Sequence, residues 1–364
     1  MAKLAFVARL SDSAAHRGGL VLMNQMAVKP LFVLRRTENI EFSAIARKRL
    51  MVTAKWTIVT IVAVFIGRSF AAARAELISD QAFSVHAISV PWLCGAAICY
   101  SLAMIPMATY WYVLNRTMGQ TATWWSTLRA HCLGQLGKYV PGKAFVVIMR
   151  TGALKTTVPK HVTIVATTVF IETFTLMAVG AALAALLILW NFAQHRYLLI
   201  LATLLLVIAG IPTWPPLLRG IVSRLRSSSL TRELQSALQA YRWQTMISGW
   251  ILSFVSWCLI GLSLECVMRA LPISNELPTT WQLWPRLTAS ASLSVVAGFL
   301  SLIPGGLGVR EAVLDQLLKQ PFGPLVAFTV PVVLRLIWLL TELMLSVILY
   351  IGGRRHMREA SPPS

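Results

Sequence analysis

Seven runs of mostly apolar residues dominate the chain, near 51–67, 88–113, 161–190, 197–217, 246–268, 287–303 and 322–351. A helix that crosses a bilayer needs about 20 such residues. Lipid offers the backbone no hydrogen-bond partner, so a run of this kind closes its own bonds as a helix. The expected fold class is therefore all-α, a polytopic transmembrane helix bundle. Composition agrees, with 57% hydrophobic and 13% charged residues, where a soluble domain carries about 25% charged. A disordered chain, a coiled coil and an ordinary soluble globule are excluded. Lys55 can snorkel from the short first run. Trp92, Trp111, Trp190, Trp214, Trp250 and Trp284 fall near run ends, as interfacial aromatic belts do.

The few charges are lopsided, with 33 Lys+Arg against 13 Asp+Glu and a net charge of +20. Such a surplus suits either nucleic acid or the cytoplasmic loops of a membrane protein. Position separates the two. The segments 1–55, 116–160, 219–242 and 354–358 hold 25 of the 33 basic residues, and they alternate along the chain. The positive-inside pattern thus absorbs the surplus and no nucleic acid partner is expected. The expected partners are a membrane lipid with a polar or phosphate headgroup and anionic lipids at the cytoplasmic face. Seven spans would put Arg354, Arg355 and Arg358 outside, so an eighth short embedded helix over about 306–319 is expected. That gives about eight membrane segments, both termini cytoplasmic, in a plasma (inner) membrane. Residues 1–47 read as a basic, poorly ordered cytoplasmic extension. Residues 48–352 read as the integral domain and 353–364 as a short basic tail.

Two segments interrupt the apolar pattern in the same way. One is Gly134-Gln135-Leu136-Gly137-Lys138-Tyr139-Val140-Pro141-Gly142-Lys143, running on to Arg150. The other is Ile303-Pro304-Gly305-Gly306-Leu307-Gly308-Val309-Arg310-Glu311. Proline stops a helix and glycine lets the backbone turn sharply. Backbone freed this way survives at membrane depth only inside protein or beside a water-filled cavity. Paired broken segments are a pointer to a transporter's binding site. The expected headgroup site is Lys138, Pro141, Gly142, Lys143, Arg150, Pro304, Gly305, Gly306, Gly308 and Arg310. Charges inside spans cost about 2.5–3.5 kcal/mol on insertion scales, so they should face the interior and pair. The expected cluster is Glu172, Arg310, Glu311 and Arg335. Asp315 shares a helix face with Glu311, and Glu265 and Glu342 read as interfacial.

Catalytic motifs are absent from the sequence, with no Gly-x-Ser-x-Gly, P-loop, His-Glu-x-x-His or Gly-x-Gly-x-x-Gly. The five Cys form no Cys-x-x-Cys pair and read as apolar packing residues. The six His are scattered and read as interfacial. No cofactor or metal is expected. Glu76 and Asp80, beside Arg74, are a weak acidic pair on the first outside loop.

The string Leu302-Ile303-Pro304-Gly305-Gly306-Leu307-Gly308-Val309-Arg310-Glu311-Ala312 resembles the signature of the lysylphosphatidylglycerol synthase transmembrane family, the flippase-like region of the multiple peptide resistance factor. Gly137 to Lys143 with Arg150 resembles that family's earlier Pro-Gly-Lys motif. Glu172 resembles its intramembrane acid, Arg335 the basic residue of its last span, and Trp111 with Leu114 the end of its second span. The resemblance covers roughly 48–352. It implies a translocase for a polar-headgroup or isoprenoid-linked lipid in envelope lipid metabolism. The soluble aminoacyltransferase domain of the best-understood members is not seen after Ile351, so the resemblance does not imply lysyl transfer and an enzyme is not the first expectation. The alternatives are a membrane-embedded glycosyl or acyl transferase and a non-transporting accessory subunit.

Overall fold

The computed structural model describes residues 88–139, 144–156, 162–191, 196–224, 229–272, 277–301 and 303–359. Contacts divide the chain after Ile61, and every described residue lies in the unit Val62–Ser364. The run 51–67, the extension 1–47 and the acids Glu76 and Asp80 lie outside the described residues.

Eleven α-helices make up the described structure, and no strand occurs among the described residues. They are α1 (Val90–Thr117), α2 (Trp124–Gln135), α3 (Ala144–Ala153), α4 (Val162–Asn191), α5 (Arg196–Gly210), α6 (Pro215–Ser223), α7 (Ser229–Gln239), α8 (Trp243–Ala270), α9 (Thr280–Leu300), α10 (Val309–Phe322) and α11 (Pro324–Glu359). Four contain stretches long and apolar enough to cross a membrane, Val90–Thr117, Val162–Leu186, Trp243–Ala270 and Pro324–Gly352. The run expected over 197–217 is shorter than read, because α5 ends at Gly210 and a 3-10 turn carrying Pro212 follows. The short helix expected over 306–319 is α10, 14 residues long. The last helix runs past 352 to Glu359.

Polarity is arranged inside out. On α11 Leu340, Leu343, Met344, Val347, Ile348 and Ile351 are exposed, while Thr341, Glu342 and Ser346 between them are buried. On α8 Ile247, Ile251, Phe254 and Val255 are exposed, while Ser253, Ser256 and Ser263 are buried. A water-soluble helix does the reverse. Lipid as the outer medium makes the pattern sensible, since apolar faces lose nothing there and polar groups find partners only inward.

The central packing is α1 against α8, two antiparallel helices of 28 residues. At 1.5 Å per residue each is about 42 Å long, more than the ~30 Å hydrocarbon core. Small residues bring them together, as in other membrane bundles. Gly249 lies under the Tyr110 ring, and Ser263 Oγ donates to the Ala96 carbonyl at 2.8 Å. Buried aromatics place their polar tips on partners. Trp111 Nε1 donates to Thr168 Oγ1 at 3.0 Å, Trp257 Nε1 to the Leu176 carbonyl at 2.9 Å, and Trp338 Nε1 to Ser263 Oγ at 3.0 Å. Trp111 was expected at an interface, but it is fully buried in this core. Trp92 and Trp214 are exposed, as belt residues should be.

The α2–α3 pair is a helical hairpin. Its open end is stitched by Ser126, whose Oγ donates to the Lys155 carbonyl at 3.1 Å and accepts from the Lys155 N–H at 2.8 Å. At its other end the Leu136–Tyr139 turn follows α2.

The α1–α8 contact leaves no room for a side chain at 249. Gly249→Val should push the buried Tyr110 ring aside and cost about 1–3 kcal/mol as overpacking. Thermal unfolding of the purified protein in detergent should show a lower Tm than wild type.

Candidate functional site

The second broken segment explains its own sequence. Gly305, Gly306 and Gly308 have φ of 62°, 65° and 82°, a region only glycine enters freely. Three such residues in four turn the chain from α9 through the Pro304–Gly306 turn into α10. Glu311 then reaches back one turn, and one carboxylate oxygen accepts the Gly308 N–H at 2.8 Å. Its other oxygen is ion-paired with Arg335 on α11. Arg335 Nη2 donates in turn to the Gly305 carbonyl at 3.3 Å. Two freed backbone groups are thus satisfied by one carboxylate–guanidinium pair. Gly306 also makes way for Arg310, since an added Cβ would stand 2.8 Å from Arg310 Nε.

The first broken segment is held on three sides. After α2 a 3-10 turn, Leu136–Tyr139, carries Lys138. Lys138 pairs with the buried Glu342 of α11, which also accepts from the Tyr100 hydroxyl of α1. Tyr100 stacks on Trp338 with ring centroids 4.7 Å apart. Gly137 allows close backbone approach, because an added Cβ would meet Val146 Cα at 2.9 Å. On α3 Arg150 donates from Nη1 to Glu172 of α4 at 2.6 Å and lies 5.2 Å from the Trp111 ring centre. The buried His131 Nδ1 is 3.9 Å from the other Glu172 oxygen. Pro141, Gly142 and Lys143 lie outside the described residues.

The two breaks touch. The Tyr139 ring packs on Gly305, where an added Cβ would meet it at 3.4 Å. Beside this junction is a cavity of about 500 Å³, lined from both segments by Lys138, Gly305, Gly306 and Arg310, with Arg150 and Glu172. A larger crevice, about 1200 Å³, lies between the Pro278–Pro285 region and Phe322, and Arg286 is its charged lining residue.

The expected single cluster of Glu172, Arg310, Glu311 and Arg335 resolves differently. Glu311 and Arg335 do pair, and Glu172 pairs with Arg150 instead. Arg310 has no ion-pair partner among the described residues, and its buried Nε makes no hydrogen bond. Glu342 is not interfacial. It is buried at the centre of the first break's anchor, and the same desolvation argument that singled out Glu172 applied to it in its own apolar run. Glu265 is buried too, paired with Arg269 four residues on at 2.8 Å. His131 is likewise buried rather than interfacial. Asp315 is half-buried and meets only its neighbour Gln316, at 3.5 Å. Tyr100 and Tyr139 carried no charge signal that could have marked them.

Inside-out helices around a charged cavity define a multi-helix protein embedded in a membrane. The chain belongs to the family described as the lysylphosphatidylglycerol synthase TM region, whose model matches residues 53–346. No curated protein matches it.

The Glu311–Arg335 pair should behave as one unit. Glu311→Gln and Arg335→Gln should each destabilise the fold, and the double variant should lose less than the sum. The coupling expected from a double-mutant cycle is about 1–3 kcal/mol. Additive losses in detergent unfolding would mean that the pair does not hold the break.

Proposed function

We propose that the protein is a translocase that moves a lipid with a polar headgroup between membrane leaflets as part of envelope lipid metabolism. The observation that carries this is the two-natured cavity between the broken segments. Its charged side holds Lys138, Arg150, Glu172 and Arg310, while Met104, Phe174 and Trp257 line the apolar side. At its rim Phe170 and Ile303 are 49% and 42% exposed. On a lipid-embedded surface such a rim is a lateral portal, through which acyl or isoprenoid chains stay in the bilayer while the headgroup enters.

Three ion pairs around the cavity each join different elements. Lys138–Glu342 ties the first break to α11, Arg150–Glu172 ties α3 to α4, and Glu311–Arg335 ties α10 to α11. An entering headgroup competes for these partners, so occupancy is coupled to helix rearrangement. Lys143, one residue past Gly142, adds to the attraction for phosphate. In this reading the protein has about eight segments in the plasma membrane with both termini cytoplasmic, and its basic loops rest on anionic lipid. The sequence has no P-loop, so the drive is a gradient, the membrane potential or downhill lipid flow.

Purified protein in phosphatidylglycerol–phosphatidylethanolamine vesicles tests this. Acyl-labelled phospholipids and a labelled isoprenyl phosphate serve as probes, and leaflet assignment by chemical quenching is the readout. Wild type should speed movement of at least one probe well above protein-free vesicles, and Glu172→Gln should lose about tenfold or more of that rate. Movement no faster than in protein-free vesicles for every probe overturns the proposal.

A further inference from the structure

The charge balance of the cavity carries the translocase reading one step further, to the class of headgroup. Three cations line the cavity, and two are already neutralised by buried carboxylates, Lys138 by Glu342 and Arg150 by Glu172. Arg310 is the third. Its sequence neighbour Glu311 is occupied by Arg335 and by the Gly308 N–H. Among the described residues Arg310 has no carboxylate partner, and its buried Nε is unsatisfied.

The side chain is nonetheless held in place. It lies in a slot between Gly298 and Gly306, where added Cβ atoms would stand 2.5 Å from its Cγ and 2.8 Å from its Nε. A fixed guanidinium at membrane depth, without a counter-charge, is costly unless the occupant of its cavity supplies one. Among the described residues the cavity therefore lacks one negative charge. Its apolar wall and exposed rim call for an amphiphile rather than a free ion.

We propose that the Arg310 site takes the phosphodiester of a lipid headgroup carrying one net negative charge. The planar guanidinium donates to two phosphate oxygens, a geometry lysine cannot match. A headgroup with net positive charge would face Arg310 with like charge. A zwitterionic headgroup brings its own cation and leaves the site's charge uncompensated. This rests on the translocase reading for the lipid's arrival, but the binding itself can be measured without transport.

The full-length protein in maltoside micelles is titrated with dioleoylphosphatidylglycerol, dioleoylphosphatidylcholine and cationic dioleoyl ethylphosphatidylcholine, with occupancy read by native mass spectrometry. Phosphatidylglycerol should bind about tenfold more tightly than the other two, the size expected for a charge-assisted hydrogen bond. Arg310→Gln should weaken phosphatidylglycerol binding more than phosphatidylcholine binding and so erase that preference. Arg310→Lys, which keeps the charge, should retain part of it, and it serves where the glutamine variant does not fold. Millimolar sodium phosphate should not displace the lipid. Equal binding of the three lipids, an undiminished preference in Arg310→Gln, or displacement by inorganic phosphate overturns the assignment. Selective binding without transbilayer movement would sink the translocase reading alone, while movement with no headgroup preference would sink this assignment alone.

Discussion

A helix broken inside a membrane protein frees amides and carbonyls that need partners, and each orphan shut away from water costs several kcal/mol. Here Glu311 and Arg335 meet that cost together. The carboxylate takes the Gly308 N–H, the guanidinium takes the Gly305 carbonyl, and the two groups pair with each other. The ion pair is therefore inseparable from the turn. Without it the left-handed path through Gly305, Gly306 and Gly308 has no anchor on α11. With it the turn presents Gly305 to Tyr139 and clears a slot for Arg310. The junction of the two breaks, and so the cavity beside it, depends on this one bridge.

The remaining charges follow the same logic at larger scale. Lys138–Glu342 fixes the end of the first break to α11, and Arg150–Glu172 fixes the other arm of that hairpin to α4. Helix α11 thus receives both breaks, one at Arg335 and the other at Glu342. These two residues are seven apart, two turns along one face of the helix. A shift of α11 along its axis would strain both breaks at once. Buried ion pairs contribute little net stability beside apolar packing of the same volume. Their worth here is positional, since each carboxylate admits few arrangements of the cation it neutralises.

Much of this was legible in the sequence. Apolar runs gave helices, because lipid leaves the backbone no other choice. The Pro-Gly strings gave the two breaks, because glycine and proline act locally and leave a mark at their own position. The need of Glu172, Glu311 and Arg335 for partners followed from the cost of burying charge. The partners did not, apart from Glu311 with Arg335. Whether Glu172 meets Arg150 or Arg310 depends on how α3 leans on α4, which is set by Gly134 yielding to the Arg150 chain and by the seat of Arg150 against Trp111. No periodicity in one segment encodes that. Glu342 was misread as interfacial because its position along a helix was visible while the Lys138 opposite it, 204 residues away in sequence, was not.

The two cavities are walled by the same three helices, α4, α8 and α9. On α9 Ala289 lines the larger crevice and Val295 the smaller cavity, six residues apart. The wall between them includes α8, where the adjacent residues Trp257 and Cys258 line the smaller cavity and the larger crevice. Thr288 fills a notch at Gly261 within it, and Trp257 covers Gly180. Both contacts set a side chain against a bare backbone and hold α8 close to α9 and to α4. Buried Ser290, Ser292 and Ser294 lie along the same stretch of α9, and the Ser292 and Ser294 hydroxyls donate to the Ala289 and Ala291 carbonyls of their own helix. Sliding α9 against α8 would withdraw Thr288 from its notch and cost the Arg269 contact with Thr280, but it would separate no ion pair, since Glu265 and Arg269 both lie on α8 and move together. The wall is thus the part of the structure that can open at least electrostatic cost, while the charged junction below it stays assembled.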